Sequence, residues 1–336
     1  MRILTLVDAR TGHARQVAGL AQLIGRRREV EVVERRIVPR RLMSERVRWL
    51  MSHLSFLSPE RLLRRSYGID LDEVGNFDLV IGSGRPSILA GSLIARATGA
   101  PFVYCGRVAG YATDHMALVL VPYAADGHWP RHAYAPIPSP IEPETYPAPR
   151  RLRQLTDLAG AHVALLVGGP SSRRGWTTVE WAELSYFILS AERELGIRWS
   201  IATSQRTPAT ARDMLHTTFG SLAEGCDWVD FSVEGPGSAD RLYGADAICV
   251  TSDSTSMIAE GLAAMRPVVG IQSHRLRRSR DDTQLALLQT EGSFSDLPLN
   301  GLKPSAFAAT LLQLTPPTVD PRARLYEVLE PVIGPL

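Results

Sequence analysis

The stretch Asp246-Ala-Ile-Cys-Val-Thr-Ser-Asp-Ser-Thr-Ser-Met-Ile-Ala-Glu260-Gly-Leu-Ala-Ala-Met-Arg-Pro267 spells a buried strand, a hydroxyl-rich turn and a helix. Ala247 to Val250 is a short apolar run of the kind that forms a strand covered on both faces. Ser254, Thr255 and Ser256 then offer N-cap side chains to a helix beginning near Met257. Such a turn presents unpaired backbone N–H groups and the positive end of a helix dipole, an arrangement suited to phosphate. Glu260 lies about one turn into that helix, so its carboxylate would meet a ribose attached to the phosphate. The alternative at this point is an ordinary capped helix with Glu260 solvated.

The same strand-loop-helix grammar recurs outward in both directions. Towards the amino end, Ile3 to Val7 reads as a strand, Thr11-Gly12-His13 as a loop, and Ala14 to Ile24 as a helix with apolar residues at helical spacing. Glu29 to Val33 is the next strand. Phe77 to Ile81, the loop Gly82-Ser-Gly84-Arg85-Pro86 and the helix Ile88 to Arg96 repeat the unit, followed by strands at Gly99 to Tyr104 and Met116 to Pro122. Gly82 and Gly84 permit a close backbone approach, and Arg85 is placed to hold a phosphate or carboxylate. Around the opening stretch, His162 to Pro170 is a buried strand ending in a Gly-Gly turn beside Ser171, Ser172, Arg173 and Arg174. Thr178 to Glu194 is a helix, Trp199 to Pro208 a strand and loop, and Val268 to Gln272 a strand. Between Pro136 and Pro149 prolines recur every few residues, which breaks helices and strands alike.

The expected class is therefore α/β, with two Rossmann-like domains whose parallel sheets face a central cleft. Residues 1–145 form the first domain, 146–160 a linker, 161–318 the second domain, and 319–336 a helix crossing back. A length of 336 residues suits two cores. Lys303 is the only lysine, so nearly all positive charge is arginine, and a net charge of +2 gives no ground for nucleic-acid binding. The three cysteines have no metal-like spacing and leave an odd number, which favours a reducing compartment. The first eight residues turn polar too soon for a signal peptide and no run reaches membrane-span length, so a cytoplasmic location is expected. From Arg40 to Arg65, seven arginines against two glutamates interleave with Leu42, Trp49, Leu50, Phe56 and other large apolar residues. That pattern suits either an anionic membrane surface or an amphipathic acceptor at the inner face, and equally a core-packed excursion with a solvated arginine face. No complete dinucleotide or Walker fingerprint occurs, so neither NAD nor ATP is expected, and no metal or other cofactor.

The spaced set Asp8-Ala-Arg-Thr-Gly-His13-Ala-Arg-Gln, Gly82-Ser-Gly-Arg85, Val167-Gly-Gly-Pro-Ser171, Thr203-Ser-Gln-Arg-Thr-Pro208 and Val250-Thr-Ser-Asp-Ser-Thr-Ser-Met resembles the elongated-mitochondria fission-protein family over most of the chain. Its bacterial members are often treated as sugar-nucleotide enzymes. A more distant resemblance is to the membrane-associated N-acetylglucosaminyltransferase of peptidoglycan synthesis and the two-Rossmann-domain (GT-B) glycosyltransferases. It is carried by Thr11-Gly12-His13, Gly82-Ser-Gly84, Glu260 with Pro267, Gln272-Ser-His274 and Asp281-Asp-Thr-Gln284. This sequence departs from that pattern by one glycine fewer near His13 and by the hydroxyl-rich Ser252 to Ser256 turn.

The likeness implies a nucleotide-sugar donor on the second domain and an acceptor on the first, near Gly12, Gly84 and Arg85. The leading expectation is metal-independent transfer from a nucleoside-diphosphate sugar; because of these departures neither the sugar nor the acceptor carries over from the likeness, and a lipid-linked or envelope glycan is the candidate acceptor. Ser254, Thr255 and Ser256, with Arg206 as charge partner, are the candidates to meet the diphosphate. Glu260 would hold ribose, and Asp282 and Gln284 would read sugar hydroxyls. His13 is the candidate base for an inverting reaction, with Asp8 as fallback; in a retaining reaction His13 would only bind. The competing readings are a nucleotide-sugar epimerase or hydrolase using Asp253 and Asp282, and a non-catalytic membrane-associated adaptor.

Overall fold

Strands alternate with helices along the whole chain, and the computed structural model, which describes residues 1–170, 174–276 and 280–335, arranges them in two units. The first comprises Met1–Pro140 with Pro321–Leu336, the second Ile141–Asp320. In chain order the first contains β1 (Arg2–Val7), α1 (Thr11–Gly25), β2 (Glu31–Arg36), α2 (Glu45–Ser52), α3 (Pro59–Tyr67), α4 (Leu71–Val74), β3 (Leu79–Ser83), α5 (Arg85–Thr98), β4 (Phe102–Cys105), β5 (Leu118–Val121) and β6 (His132–Tyr134). The second contains β7 (His162–Leu166), β8 (Arg174–Gly175), α6 (Thr178–Leu195), β9 (Arg198–Ala202), α7 (Ala209–Phe219), β10 (Trp228–Val229), α8 (Phe231–Glu234), β11 (Ala247–Thr251), α9 (Thr255–Ala263), β12 (Val268–Gln272), β13 (Arg275–Leu276), α10 (Arg280–Thr290), β14 (Phe294–Pro298) and α11 (Pro304–Gln313). The last helix, α12 (Arg322–Ile333), belongs to the first unit.

Each unit is built on a six-stranded, all-parallel sheet. The order is β2-β1-β3-β4-β5-β6 in the first. It is β10-β9-β7-β11-β12-β14 in the second. A parallel sheet must be covered on both faces, which is why the central strands read as continuous apolar runs. In the first unit, α1 and α12 cover one face, with Val17, Leu20, Ile24, Leu325 and Leu329 packed on Ile3, Ile81 and Val103. Helix α5 covers the other, packing Ile88, Leu89 and Leu93 on Leu4, Val80 and Phe102. Gly91 lets α5 approach that closely, since a Cβ there would come within 2.5 Å of the Phe102 ring.

In the second unit, α6 and α11 cover one face through Trp181, Leu184, Phe187 and Phe307. Ile258 and Leu262 of α9 and Leu285 of α10 cover the other. Helix α6 opens with a capping box in which Thr177 and Glu180 satisfy each other's backbone N–H groups, and closes at Gly196 in the left-handed conformation. A two-stranded antiparallel pair, β8 with β13, stands beside the main sheet.

Several boundaries differ from expectation: Thr11-Gly12-His13, expected as a loop, opens α1, and the second strand lies at Glu31–Arg36 rather than Glu29 to Val33. The first unit ends inside the proline run, at Pro140, and residues 146–160 belong to the second unit rather than to a linker. Ile141, Leu152 and Leu158 are buried in its cores, Arg266 donates to the Pro147 carbonyl at 2.5 Å, and Asp246 accepts from the Arg150 N–H at 2.9 Å. Proline removes helix and strand, but here it leaves carbonyls and apolar side chains that the second unit binds. The second unit runs to Asp320, and α12 returns to the first, where Tyr326 donates to the Leu23 carbonyl at 3.0 Å and the Arg27 guanidinium lies over the Tyr326 ring. Helix α9 begins at Thr255, two residues before the expected Met257. Among the described residues no helix is long and apolar enough to cross a membrane.

Candidate functional site

In open α/β sheets ligands bind outside the carboxyl ends of the strands, where the strand order reverses. That point falls between β1 and β3 in the first unit and between β7 and β11 in the second. Each carries an aspartate one or two residues past its strand, Asp8 and Asp253 respectively.

At the first reversal point, Asp8 follows β1 and His13 lies in the first turn of α1. His13 Nδ1 stands 2.9 Å from Asp8 Oδ2 and 3.0 Å from Oδ1. Arg10 N–H donates to the same carboxylate at 2.9 Å. Burial pushes the Asp8 carboxyl up, but the hydrogen bond and charge of His13, with the Arg10 backbone, more than offset it, so the net shift is downward. An ionised Asp8 accepts the Nδ1 proton and thereby assigns Nε2 as the nitrogen with the lone pair. The pair is partly open: the His13 side chain is 25% exposed and the Asp8 side chain 11%. The chain closes over it at Gly84, the residue before α5, which has φ +85°. A Cβ at Gly84 would stand 2.5 Å from His13 Nδ1 and closer still to Asp8 Oδ2, so only glycine fits. Asp8 is thus the hydrogen-bond partner of His13. Gly12 is the second residue of α1. Arg85, expected to hold an acceptor anion, is ion-paired with Glu45 of α2, both side chains being about half exposed. Tyr104, at the end of β4, is buried and its hydroxyl is pushed well above its ordinary range by burial and then by neighbouring charge, Asp8 included.

The second reversal point is built the opposite way. The Asp253 side chain is fully buried. It accepts from Gly169 N–H at 2.9 Å and Trp176 Nε1–H at 3.0 Å, and pairs with Arg206 Nη2 at 2.9 Å. Arg206 Nη1 donates to the Gly169 carbonyl at 2.8 Å. Thr251 Oγ1 accepts from Gly168 N–H at 2.7 Å, and Ser204 and Thr207 donate to the Gly168 carbonyl at 3.0 and 2.7 Å. The Gly-Gly turn is required by this crowding: a Cβ at Gly169 would run into the Arg206 carbonyl. The Gly169 N–H in the turn after β7 is therefore taken by the protein's own carboxylate. Arg206, expected as a charge partner for phosphate, directs both Nη groups to Asp253 and Gly169 and braces this loop.

The neighbouring turn, between β11 and α9, is where the hydroxyls gather. Ser254 occupies the N-cap position but its side chain makes no capping hydrogen bond; its Oγ lies 3.4 Å from Ser256 Oγ. Thr255 and Ser256 are the first two residues of α9 and partly exposed. Glu260, on the same helix, is buried rather than solvated, and Tyr243 donates to its Oε2 at 2.5 Å. Asp282 and Gln284 lie in the first half of α10. Gln284 is buried, and its Oε1 has no hydrogen-bond partner among the described residues. Ser171, Ser172 and Arg173 lie outside the described residues.

Sequence reasoning missed three groups here. Asp296 on β14 accepts from Ser252 Oγ and Gln272 Nε2, opposite Gly270, where a Cβ would collide with it. Glu180 accepts from His274 N–H at 2.6 Å, tying the end of β12 to the start of α6. Tyr243 is the third. None sits in a recognisable motif, because each meets its partner across the fold.

This architecture, two Rossmann-like α/β units of the GT-B kind, recurs in solved structures. S. aureus MnaA with UDP superposes with a TM-score of 0.56 at 11% identity, covering 98% of this chain and 95% of that one. UDP-GlcNAc 2-epimerase from Neisseria meningitidis bound to UDP-GlcNAc gives 0.54 at 13%, covering 98% of each. The glycosyltransferase of kitacinnamycin gives 0.52 at 14%, covering 99% and 96%. At these identities the likeness establishes the fold alone. By sequence, the profile of the family described as Mitochondrial fission ELM1 matches residues 11–313, and the chain belongs to that family. No curated protein matches the chain by sequence.

Proposed function

We propose that the protein is a sugar-nucleotide enzyme, a metal-independent glycosyltransferase that takes a nucleoside-diphosphate sugar on its second unit and an acceptor hydroxyl on its first. The observation that carries this reading is the Asp8–His13 pair at the reversal point of the first sheet. With Nδ1–H donated to Asp8, Nε2 accepts the acceptor's hydroxyl proton while the acceptor oxygen attacks the anomeric carbon. The bond from that carbon to the diphosphate oxygen breaks, and the diphosphate leaves with the electron pair. Asp8 stabilises the imidazolium that forms, as the acid partner does in other histidine-based sites. The leaving charge falls to the first turn of α9, through its N–H groups and the hydroxyls of Ser254, Thr255 and Ser256. Glu260 is assigned to ribose, and Asp282 and Gln284 to the sugar. Solved neighbours that hold UDP or UDP-GlcNAc support a nucleotide-sugar ligand.

The test is release of nucleoside diphosphate from a panel of sugar nucleotides, with and without hydroxyl acceptors. Release that depends on an acceptor, and that falls about 10²–10⁴-fold in His13→Ala with the diphosphate Kd within twofold, is the expected result. Unchanged release in His13→Ala overturns the assignment of the base.

An epimerase or hydrolase is the second reading, supported by the epimerase among the neighbours. It needs an acid or base beside the sugar, and Asp253, with three donors on its carboxylate, is badly suited to that task. A sugar nucleotide converted by the protein alone, at a rate no acceptor increases, would establish it. A lipid-linked or envelope-glycan acceptor, and a cytoplasmic enzyme resting on the inner face of a membrane, are supported by the Arg40–Arg65 segment. There Leu42 and Phe56 are 88% and 80% exposed among exposed arginines. Co-sedimentation with anionic but not neutral vesicles checks this, and no sedimentation with either removes it.

A further inference from the structure

Glu260 is five residues beyond the start of α9, ~7.5 Å along the helix axis from the turn assigned to the diphosphate. That separation suits a ribose, provided the carboxylate is held in one orientation. A group that holds it lies outside α9, in the 3₁₀ segment Ser238–Gly244. Tyr243 is 1% exposed, packed in the apolar core with Ile258 and Leu262, and its hydroxyl donates to Glu260 Oε2. Its backbone is fixed in turn. Arg266, 2% exposed, donates through Nε to the Tyr243 carbonyl at 2.9 Å and through Nη2 to the Pro147 carbonyl. The phenol therefore cannot follow the carboxylate if the latter rotates; the carboxylate is set by the phenol.

We infer that Tyr243 is a positioning residue for ribose recognition, its hydroxyl fixing the Glu260 carboxylate to which the ribose hydroxyls donate. This rests on the reading of the second unit as a nucleoside-diphosphate site. A phenol–carboxylate bond inside the core is worth more than the same bond in water, since neither partner is rehydrated when it breaks. Losing the phenol hydroxyl removes one restraint on the Glu260 carboxylate and none from the first turn of α9.

Calorimetry with UDP, ADP, GDP and dTDP selects the tightest diphosphate. Its affinity is then compared with that of its 2′,3′-dideoxy counterpart in the wild type, Tyr243→Phe, Glu260→Gln and the double variant. The wild type is expected to prefer the ligand with ribose hydroxyls about tenfold or more. Tyr243→Phe should lose most of that preference while binding the dideoxy ligand within about twofold of wild type, and the double variant should lose no more than Glu260→Gln. Glu260→Gln, which keeps the side chain's volume, reads the same preference should Tyr243→Phe fold poorly. A Tyr243→Phe protein that keeps the full preference, or weakens both ligands equally, overturns the positioning role and leaves the ribose assignment standing. A wild type without the preference, or that binds none of the four, overturns the ribose assignment itself.

Discussion

Each reversal point carries an aspartate past one of its two strands, Asp8 after β1 and Asp253 after β11, and uses it for opposite ends. Asp8 is partly open, shares its carboxylate with an imidazole five residues on, and is covered by a glycine that leaves no room to spare. Asp253 is sealed, its oxygens taken by a backbone N–H, an indole and a guanidinium from three separate loops. An imidazole that is partly open and held by a carboxylate can exchange a proton with a ligand, whereas a buried carboxylate saturated by donors holds loops in place. On the function proposed above, proton transfer falls to the first unit, while the aspartate of the second braces its loops.

Substitutions at the two points sharpen this contrast. Gly84→Ala is expected to have the largest effect, because the new Cβ displaces Asp8 from His13 at a backbone conformation that costs about 1–3 kcal/mol without glycine. Diphosphate release should fall as far as in His13→Ala, with the diphosphate Kd unchanged; retained release would place the proton acceptor elsewhere. Asp253→Ala strands the Gly169 N–H and the Trp176 indole inside the second unit. Its thermal transition should lose about 2–4 kcal/mol, the range for removing one partner from a buried polar cluster, while the first unit's transition stays put. Differential scanning calorimetry separates the two.

A smaller effect follows from acid. The folded Asp8 carboxyl titrates below its ordinary value, so its pairing stabilises the first unit above about pH 4 and is lost as pH falls through the folded value. The midpoint of that unit should drop over this window in the wild type and less in Asp8→Asn; equal slopes would mean that the pairing adds nothing. The smallest effect is at Phe56→Ser, on an exposed side chain, which should change stability by no more than about 0.5 kcal/mol yet reduce sedimentation with anionic vesicles. Full sedimentation of that variant would remove Phe56 from the proposed membrane contact.

The alternation of apolar strands with periodic helices made the two α/β units readable, and β12 is found at the residues expected, Val268–Gln272. The weak edges were not readable. Strand β10 is two residues long, and β14 carries Ser295, Asp296 and Pro298, which register only because β12 lies beside them. His13 stood out because it lies where a strand passes into a helix, in the first turn of α1 rather than in the expected loop, and its pairing with Asp8 lay within reach of a local reading, five residues apart. Asp253 did not stand out as a brace, since its partners Gly169 and Trp176 are 84 and 77 residues away. The buried state of Glu260 was hidden for the same reason: a solvated carboxylate and one held by a distant tyrosine give the same helical pattern.

The proton arrangement on His13 tests the central claim without knowledge of any substrate. Neutral imidazole in water favours the Nε2–H tautomer, and long-range ¹H–¹⁵N spectroscopy of the side chain distinguishes the two forms. Protonated Nδ1 with an unprotonated Nε2 in the neutral ring, reverting to a mixture in Asp8→Asn, is the result expected of a base held ready by its carboxylate. A neutral His13 carrying its proton on Nε2 would contradict it.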